Sequence, residues 1–236
     1  KYWIPLIKIF LKKSDYIIAQ SPEMAEELFA IFSIPKTKIV VITNPIDLKY
    51  MEDSVKFTGN PFKDSKINVL ASGTLCPLKG FDKLIEAFAS VGKINNNFTL
   101  HILGRDQDGY GKYLESITKQ LGIQENVFFH GFLSNPYPYY KNCDLFVLSS
   151  RNEAMPNVVL ECQAFGKPIV ATRCCPVLPR IINDGIDGIL VDVDDIKGMT
   201  NAILSFRKLS PSPKKTNTNG IVDFINKILS GKESAF

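Results

Sequence analysis

From residue 67 onwards, short apolar runs alternate with segments whose apolar residues recur every three or four positions. The short runs indicate buried strands, and the wider spacing indicates amphipathic helices. The clearest helix is at 80–91, where Phe81, Leu84, Ile85 and Phe88 form one stripe. This alternation predicts an α/β fold with a doubly wound parallel sheet. Strands are predicted at 67–72, 98–103, 126–130, 144–149, 168–172 and 188–192, and helices at 80–91, 110–121, 156–165 and 195–207.

The first 50 residues show a shorter version of the same pattern. Apolar residues at 15–20 and 38–43 predict two strands, and Ser21, which precedes a proline, is typical of a helix start. Residues 1–13 mix apolar residues with lysines. That mixture favours either a helix packed against further protein or a basic helix lying on a membrane. The pattern therefore predicts a short α/β segment before the main domain.

Two polar stretches divide the rest of the chain. Residues 51–66 contain Gly59-Asn60-Pro61 and predict an interdomain linker, which leaves residues 67–207 as the main domain. Residues 208–236 begin with a Pro- and Ser-rich segment, predicted to be mobile, and end with a short amphipathic helix at 221–229. Because the chain starts inside a helix-like segment and without an initiator methionine, we expect a piece of a longer protein.

Composition excludes several classes of protein. The 236 residues are 45% hydrophobic and 22% charged, which is ordinary for a globular protein, and no apolar stretch reaches membrane-spanning length. The net charge of +4 suits anionic ligands and gives no case for nucleic acid. Five cysteines without Cys-x-x-Cys spacing argue against a zinc site and indicate a reducing compartment. Adjacent Cys174 and Cys175 are either redox-active or simply small residues in a turn.

The strongest candidate site follows the predicted strand at 144–149. Polar residues 149–155 predict a loop at the carboxyl end of that strand, where ligands bind in open α/β sheets. Pro156 suits the first turn of a helix, and a helix start offers free N–H groups to an anion. Glu153 in the loop and Glu161 on the helix add two carboxylates, which accept hydrogen bonds from sugar hydroxyls. The combination points to a ligand that carries both phosphate and sugar.

The spacing Glu153-x7-Glu161, followed by Gly166-Lys167-Pro168-Ile169-Val170-Ala171-Thr172, resembles the signature of the retaining glycosyltransferases of sequence family 4. Further motifs match that family in the same order, so the resemblance covers about residues 15–205. It implies the two-domain GT-B fold. Residues 67–207 would be the nucleotide-sugar domain, and residues 1–50 would be the C-terminal remnant of a second Rossmann-like domain, the acceptor domain. The further motifs are Asn44-Pro45-Ile46-Asp47, Lys79-Gly80 and Asp184-Gly185-x-Asp187-Gly188.

The resemblance also implies roles for individual residues. Glu153 and Lys79 would be catalytic, the first at the donor sugar's hydroxyls and the second at the diphosphate leaving group. Glu161 would hold the ribose, and the amides after Pro156 would face the diphosphate. His130 would either line the base pocket or simply be packed. The expected donor-binding residues are Gly73, Thr74, Gly104, Arg105, His130, Pro156, Asn157, Val158 and Glu161.

The chain departs from the family pattern at two positions of the expected site. Thr74 stands where the family usually has arginine, so the second cation for the diphosphate must come from elsewhere, with Arg105 and Arg151 as candidates. Ala154 replaces the glycine that usually follows the loop glutamate, which removes the freedom to adopt a positive φ.

The resemblance implies transfer of a hexose or similar sugar, with retained anomeric configuration, from a nucleotide-diphosphate sugar. A UDP-sugar is the favoured donor, and the acceptor would be a glycan, lipid-linked glycan or glycolipid. No metal is expected, because no Asp-x-Asp motif lies in a suitable strand-end loop, and no cofactor is expected. The implied setting is cytoplasmic, with possible peripheral contact to the inner face of the membrane. We expect this chain alone to bind donor weakly and to turn over little.

Three alternatives stay open at this point. A nucleotide-sugar epimerase of GT-B fold would need no acceptor. A non-catalytic nucleotide-binding domain would explain Thr74 and Ala154. A dehydrogenase is disfavoured, because no Gly-x-Gly-x-x-Gly fingerprint follows any predicted strand.

Overall fold

The computed structural model describes residues 3–63, 65–214 and 220–229. The chain divides into two compact units, one of residues 1–46 with 216–236 and the other of residues 47–215. In the described residues, the smaller unit holds a two-stranded sheet and the larger unit a six-stranded sheet.

The smaller unit contains a parallel strand pair with its flanking helices. Ser21 caps the second helix, since its side chain accepts a hydrogen bond from the Met24 amide at 3.2 Å. Tyr16 meets Phe224 edge to face, with 5.5 Å between ring centroids, so the C-terminal helix packs within this unit. The elements are α1 (Trp3–Lys13), β1 (Ile17–Ala19), α2 (Pro22–Phe32), β2 (Ile39–Val41) and α10 (Gly220–Leu229).

The larger unit is built on a fully parallel sheet. Its strands are β3 (Ile67–Ser72), β4 (Phe98–Leu103), β5 (Val127–Gly131), β6 (Leu145–Leu148), β7 (Ile169–Thr172) and β8 (Gly188–Val191). Their spatial order is β5-β4-β3-β6-β7-β8, which is the doubly wound order in which the sheet grows outward from its first strand in both directions. The six strands predicted from apolar runs are confirmed to within one residue or so at each end.

Helices connect the strands of the larger unit. Its core forms where the stripe of α4 packs on β3, β4 and β6, with Leu84 and Ile85 fully buried. The four helices predicted from apolar spacing are confirmed as α4, α5, α7 and α9. The helices are α3 (Leu48–Val55), α4 (Phe81–Ile94), α5 (Tyr110–Gln120), α6 (Tyr137–Asn142), α7 (Asn157–Ala164), α8 (Leu178–Ile181) and α9 (Ile196–Ser205).

Two segments differ from their sequence-based interpretation. Residues 51–66, predicted as an interdomain linker, begin in α3, whose Met51 and Val55 are buried in the larger unit, and Phe62 is buried as well. The first part of the predicted mobile segment is anchored, because the Ser210 amide donates to Ile186 and the Lys214 amide to Gln163. Both segments are mostly polar, so their sequence predicts no packing. A few apolar side chains hold the first segment in place, and main-chain hydrogen bonds hold the second. The domain boundaries themselves stay predictions.

The sheet order fixes where a ligand can reach the larger unit. The order in which successive strands are added reverses between β3 and its neighbour β6, because one half of the sheet is built outward to β5 and the other to β8. Loops leaving the carboxyl ends of those two strands diverge to opposite faces and open a crevice. The predicted loop at 149–155 leaves β6 at this crevice.

Candidate functional site

A pocket of about 340 Å³ opens at the carboxyl ends of β3 and β4. Four of the expected donor-binding residues line it, two from the loop after β3 and two from the loop after β4. Its volume lies within the range typical of small-molecule sites. The lining residues are Ser72, Gly73, Thr74, Leu103, Gly104, Arg105, Phe132, Leu133, Pro136 and Tyr140.

Close backbone approach explains the glycine after β4. A Cβ atom on Gly104 would lie 1.7 Å from the Gly73 carbonyl oxygen, so no side chain fits between the two loops. The Gly73 amide donates to Leu103 and the Gly104 amide to Gly131, which continues the ladder past the strand ends. The wall of the pocket is therefore main chain, and it tolerates no larger residue at position 104.

Lys79 lies at the end of a short turn between β3 and α4. Gly80 follows in the left-handed region with φ 63°, and a Cβ atom there would lie 2.1 Å from the Ser149 carbonyl oxygen. The Ser149 hydroxyl donates to the Lys79 carbonyl at 2.8 Å. These contacts press the Lys79 turn against the loop after β6. The side chain of Lys79 covers Gly73, since a Cβ atom on that glycine would lie 3.3 Å from two of its methylene carbons.

The two residues expected to be catalytic lie in direct contact. Lys79 Nζ donates to Glu153 Oε1 at 2.6 Å, and the Ser150 hydroxyl donates to the same oxygen at 2.7 Å. Both charged side chains are largely shielded, with 24% of Lys79 and 13% of Glu153 exposed. Elements that lie 74 residues apart in sequence thus place an ammonium group and a carboxylate together at the crevice.

Arg151, one of the two candidates for the second cation, forms ion pairs within the protein. Its guanidinium pairs with both carboxylate oxygens of Asp82 at 3.0 and 2.8 Å, and it also contacts Asp194 and the Pro77 carbonyl. The Asp82 hydrogen bonds raise the pKa of Arg151 further above its ordinary range. Arg151 therefore clamps the β6 loop to the start of α4, with four of its five N–H donors engaged by Asp82, Asp194 and the Pro77 carbonyl.

Arg105, the other candidate, lies in the pocket wall. Its guanidinium carbon lies 5.2 Å from the centroid of the Phe132 ring, and both side chains line the pocket. The Arg105 carbonyl accepts the Leu75 amide at 2.8 Å, which fixes the loop that carries it. Of the two arginines considered from sequence, Arg105 is the one that the structure brings beside Gly73 and Thr74.

The start of α7 differs in detail from the expectation. Pro156 is the N-cap residue, one position before the helix. The Asn157 amide, expected to face a diphosphate, donates to the Met155 carbonyl at 3.0 Å. The Val158 amide lies in the first turn, where the helix supplies no acceptor four residues earlier. The buried face of α7 consists of Val159, Leu160, Cys162 and Gln163, so Val158 faces partly outward.

Glu161 is half-buried on α7, near the aromatic residues of α6. Burial raises the pKa of Glu161 to about 7, because the low-dielectric surroundings disfavour the carboxylate. Its charge acts on Tyr137 and on the pocket residue Tyr140. A carboxyl group with a pKa near 7 beside a pocket is typical of a binding or catalytic residue.

His130 has a different setting from the expected one in a base pocket. Its Nε2 lies 2.9 Å from Nδ1 of His101, and its Nδ1 lies 3.2 Å from the Tyr139 hydroxyl. His101 continues the chain to Thr99 at 3.2 Å. Burial lowers the pKa of His130. The ring is thus held in a polar network along β4 and β5, outside the residues that line the pocket.

Sequence reasoning missed Tyr140 and Ser72. The Tyr140 hydroxyl lies 2.9 Å from the Ser72 hydroxyl, and both line the pocket. Burial raises the pKa of Tyr140, so it is a neutral phenol at any ordinary pH. The available signal was Tyr137-Pro138-Tyr139-Tyr140, an aromatic run in a segment that was given no element. Ala154 is not among the non-glycine residues with positive φ, so the backbone at this position does not require glycine.

Two negative findings apply to the described part of the chain only. Across residues 3–63, 65–214 and 220–229, no group of three or more His, Cys, Asp or Glu side chains has a metal-binding arrangement. In those same ranges, no helix has the length and apolar character needed to cross a membrane.

Comparison with known families gives two matches that together span most of the chain. A family model described as "Glycosyl transferases group 1" matches residues 53–223, and one described as "Glycosyltransferase Family 4" matches residues 1–50. The first match alone covers more than half of the chain, which suffices to establish family membership.

Curated relatives agree with these models. An undecaprenol-diphosphate-linked glycan 4-α-N-acetylgalactosaminyltransferase of Campylobacter jejuni is 32% identical over 200 residues, which are 82% of this chain and 51% of the relative. The lipopolysaccharide 1,6-galactosyltransferase of Salmonella typhimurium is 26% identical over 199 residues, 81% of this chain and 53% of the relative. The chain therefore spans about half the length of these relatives.

Solved structures show the same fold. The Anabaena protein HepE, solved in complex with UDP and glucose, matches 97% of this chain and 66% of its own with a TM-score of 0.79 at 21% identity. The S. aureus protein TarM, solved with UDP among its ligands, matches 100% of this chain and 44% of its own with a TM-score of 0.74 at 19% identity. At such identities the likeness concerns the fold alone. The expected GT-B type α/β fold with a parallel sheet is confirmed.

Proposed function

Because the chain belongs to the glycosyl transferases group 1 family, we propose that the whole protein transfers a sugar from a nucleotide-diphosphate sugar to a glycan, lipid-linked glycan or glycolipid. The first candidate donor is a UDP-sugar, since structural neighbours were solved with UDP. Relatives named for lipopolysaccharide and for an undecaprenol-linked glycan support the acceptor class.

One observation carries the proposal: the Lys79–Glu153 pair beside a pocket walled by Gly73, Thr74, Gly104 and Arg105. A nucleotide-diphosphate sugar needs cations at its diphosphate and a hydrogen-bond acceptor at its sugar hydroxyls. The crevice supplies both kinds of group within one hydrogen bond of each other. A generic Rossmann-like domain has no need to place this pair at its switch point.

The pair defines how the site would respond to a donor. In the structure, Glu153 Oε1 accepts from Lys79 and from Ser150. A diphosphate entering along Gly73 would compete with Glu153 for the lysine ammonium. Lys79 would then stabilise the charge that develops as the diphosphate leaves, and Glu153 would be released toward the sugar hydroxyls. The ion pair thus holds both groups ready and keeps either one from being buried alone.

Three further groups would contact the donor. Arg105 would supply the second cation in place of the arginine that Thr74 replaces, and the first turn of α7 would add amide donors. Glu161, with its raised pKa, would accept hydrogen bonds from the ribose hydroxyls once ionised. Cationic and dipolar groups of the protein would thereby do the work that a metal does in other transferases, which is the basis for a metal-independent reaction.

Retention of anomeric configuration and the setting belong to the same proposal. Retention is inferred from the Glu153-x7-Glu161 resemblance. A cytoplasmic protein with peripheral membrane contact fits an acceptor carried on lipid. The basic and apolar helix α1 is the segment that would make that contact, with Ile9 and Phe10 more than half exposed.

The direct test uses the full-length protein with UDP-glucose, UDP-galactose and UDP-N-acetylglucosamine, with and without a lipid-linked acceptor extract. The proposal expects acceptor-dependent release of UDP, lost in Glu153→Gln. A free sugar formed without acceptor would instead identify an epimerase, and binding without any turnover would identify a non-catalytic domain. The anomeric form of the product, read by NMR, decides retention.

A further inference from the structure

The floor of the pocket carries two hydroxyl groups that have no role in the proposed function. The Tyr140 hydroxyl lies 2.9 Å from the Ser72 hydroxyl, and both residues line the pocket. Ser72 is the last residue of β3, and Tyr140 belongs to α6. Two separate elements thus bring together what we call the hydroxyl pair, the side-chain oxygens of Ser72 and Tyr140.

The hydroxyl pair lies deeper than the charged part of the pocket. Tyr140 is 2% exposed and Ser72 is half-buried, whereas Thr74, Arg105 and Phe132 are exposed. The cationic side chain of Arg105 is therefore at the rim, and neutral hydroxyl groups are at the floor. A diphosphate favours the rim, because its charge needs cations and is costly to bury, whereas a neutral oxygen atom suits the floor.

The phenol of Tyr140 is held in one position. Its ring meets Phe146 edge to face, with 6.2 Å between centroids, and meets Tyr137 in the same way at 5.9 Å. Burial raises the pKa of Tyr140, so its oxygen keeps its proton. A fixed, protonated hydroxyl group loses little freedom when it binds a ligand atom.

The hydroxyl pair has hydrogen-bonding capacity left over for a ligand. Two hydroxyl groups carry two protons, and the contact between them uses one. Whichever oxygen donates, the other keeps a proton to offer. Among the residues that the structure describes, neither hydroxyl has a second hydrogen-bond partner. The floor therefore offers one donor and several lone pairs to whatever enters the pocket.

The place of Ser72 in the chain selects the part of the ligand, and this step rests on the proposed function. Ser72 directly precedes Gly73, along which the diphosphate would lie, and neighbouring Cα atoms are about 3.8 Å apart. The ribose is the part of a nucleotide that is joined directly to the diphosphate. Leu133 and Pro136 line the same pocket and suit the apolar faces of a base. The ribose is thus the part that lies beside the hydroxyl pair.

We propose that the hydroxyl pair of Ser72 and Tyr140 recognises a ribose hydroxyl and selects ribonucleoside diphosphate sugars over deoxy analogues. A ribose hydroxyl both donates and accepts, so it matches the pair whichever oxygen keeps the spare proton. Glu161, when ionised, only accepts, and the pair supplies the donor that a carboxylate lacks. A deoxy analogue would leave the buried hydroxyls facing a C–H group, and a site built to bind a hydroxyl rejects a ligand without it.

Titration of UDP, 2′-deoxy-UDP and 3′-deoxy-UDP into the wild-type chain and Tyr140→Phe tests the proposal. The wild type should prefer UDP over at least one deoxy analogue. Tyr140→Phe should weaken UDP binding about threefold to tenfold, as for one lost hydrogen bond, and weaken the disfavoured analogue less than about twofold. That analogue identifies the hydroxyl that is recognised. Equal wild-type affinity for all three ligands, or a full wild-type preference retained in Tyr140→Phe, would overturn the proposal.

Further variants distinguish recognition from structural support. Ser72→Ala should reduce the same preference, and the double variant should lose no more UDP affinity than the more affected single variant, because the two hydroxyls act together. Tyr139→Phe is the matched control, since its hydroxyl lies 3.2 Å from His130 and Tyr139 is not among the pocket-lining residues. It should keep the wild-type preference. A purely structural hydroxyl pair would instead weaken all three ligands by one common factor, which would overturn the proposal.

The same titrations separate this inference from the proposed function. UDP binding whose preference over the deoxy analogues does not depend on Tyr140 or Ser72 overturns the inference and leaves the proposed function standing. Absence of binding of all three ligands to the wild-type chain counts against the proposed function as well.

Discussion

The ammonium nitrogen of Lys79 lies 2.6 Å from a carboxylate oxygen of Glu153. The two residues belong to different loops, one after β3 and one after β6, and only the parallel sheet order brings these loops together. The contact is held from both sides, because Ser149 bonds the Lys79 carbonyl and Ser150 bonds Glu153. A pair supported this way is a built feature of the crevice and not a passing surface contact.

Removing the charge of Lys79 should weaken nucleotide binding, whereas removing the charge of Glu153 should not. Lys79→Met removes the cation for the diphosphate and should weaken UDP binding by roughly 1–3 kcal/mol, as for a lost hydrogen bond to a charged group. Glu153→Gln removes the competitor for the ammonium, so UDP binding should stay equal or tighten while turnover of the full-length protein is lost. Isothermal titration of both variants measures the difference. Lys83→Met, on the helix α4 that follows the Lys79 turn and paired with Glu86, is the matched control. Equal weakening in all three variants would contradict this account.

The two arginines near the crevice should separate binding from stability. Arg105→Met removes a pocket cation and should weaken UDP binding about tenfold with little change in the free energy of unfolding. Arg151→Met leaves the Asp82 carboxylate without its bidentate partner. Since both side chains are only partly shielded, the loss of stability should be about 1–3 kcal/mol. Urea unfolding and UDP titration of each variant test the separation. A binding loss in Arg151→Met with unchanged stability would return it to the role of diphosphate cation.

Glycine at position 104 should be required by the space available. Gly104→Ala places a Cβ atom 1.7 Å from the Gly73 carbonyl, so the two pocket loops must move apart. We expect a loss of about 1–3 kcal/mol in unfolding free energy, typical of overpacking, together with loss of UDP binding. Gly92→Ala on α4 is the control, because no atom lies within 4 Å of its added methyl group. That control should be neutral or stabilise by up to about 1 kcal/mol, since alanine favours a helix. A fully stable Gly104→Ala variant would show that the loops do not meet as described.

Glu161 should make both binding and stability depend on pH near neutrality. Its pKa in the folded protein is raised to about 7, above the value of 4.5 that the free group has. The folded form therefore binds the proton more tightly than the unfolded chain, and its favourable contribution is present at low pH and lost as pH rises through 7. Glu161→Gln should stabilise the protein at pH 8 by about 1 kcal/mol, after allowing for solvent around a half-buried carboxyl, and much less at pH 5. Thermal unfolding at the two pH values checks the sign.

Nucleotide affinity should follow the opposite course. The ionised carboxylate is the stronger acceptor for ribose hydroxyls, so UDP binding should tighten between pH 6 and pH 8. The diphosphate of UDP titrates in the same range. The Glu161→Gln variant corrects for the phosphate, because residue 161 no longer titrates in it and the titration of UDP itself remains. Parallel profiles in the two proteins would remove Glu161 from the binding site.

The spacing of apolar residues was sufficient to predict the strands and the main helices of the larger unit. Strands such as Leu145–Leu148 are continuous apolar runs because both of their faces are covered, and α4 shows a clear stripe because one face is buried. Placing Glu153 at a strand's carboxyl end then follows from the fold alone. The motif at Lys79 and the loop at Glu153 could therefore be located without coordinates.

Other features depend on contacts distant in sequence, which no local pattern contains. From sequence, Arg105 and Arg151 were equally suitable as the second cation for the diphosphate. Only the structure shows that Arg151 is paired with Asp82, while Arg105 lines the pocket. His130 lies in the expected strand, but its imidazole is hydrogen-bonded to His101 on the neighbouring strand. Tyr140 was missed because a short helix with one buried ring has too few apolar positions to show a period.

Calorimetric titration of this chain with UDP, beside GDP and ADP, tests the central claim most directly. We predict that UDP binds measurably though weakly, that GDP and ADP bind less well, and that Glu161→Ala weakens the UDP interaction by roughly 1–3 kcal/mol, as for lost buried hydrogen bonds. Absence of heat with all three nucleotides, or UDP binding that is indifferent to Glu161, would contradict the assignment of this crevice as a nucleotide-sugar site.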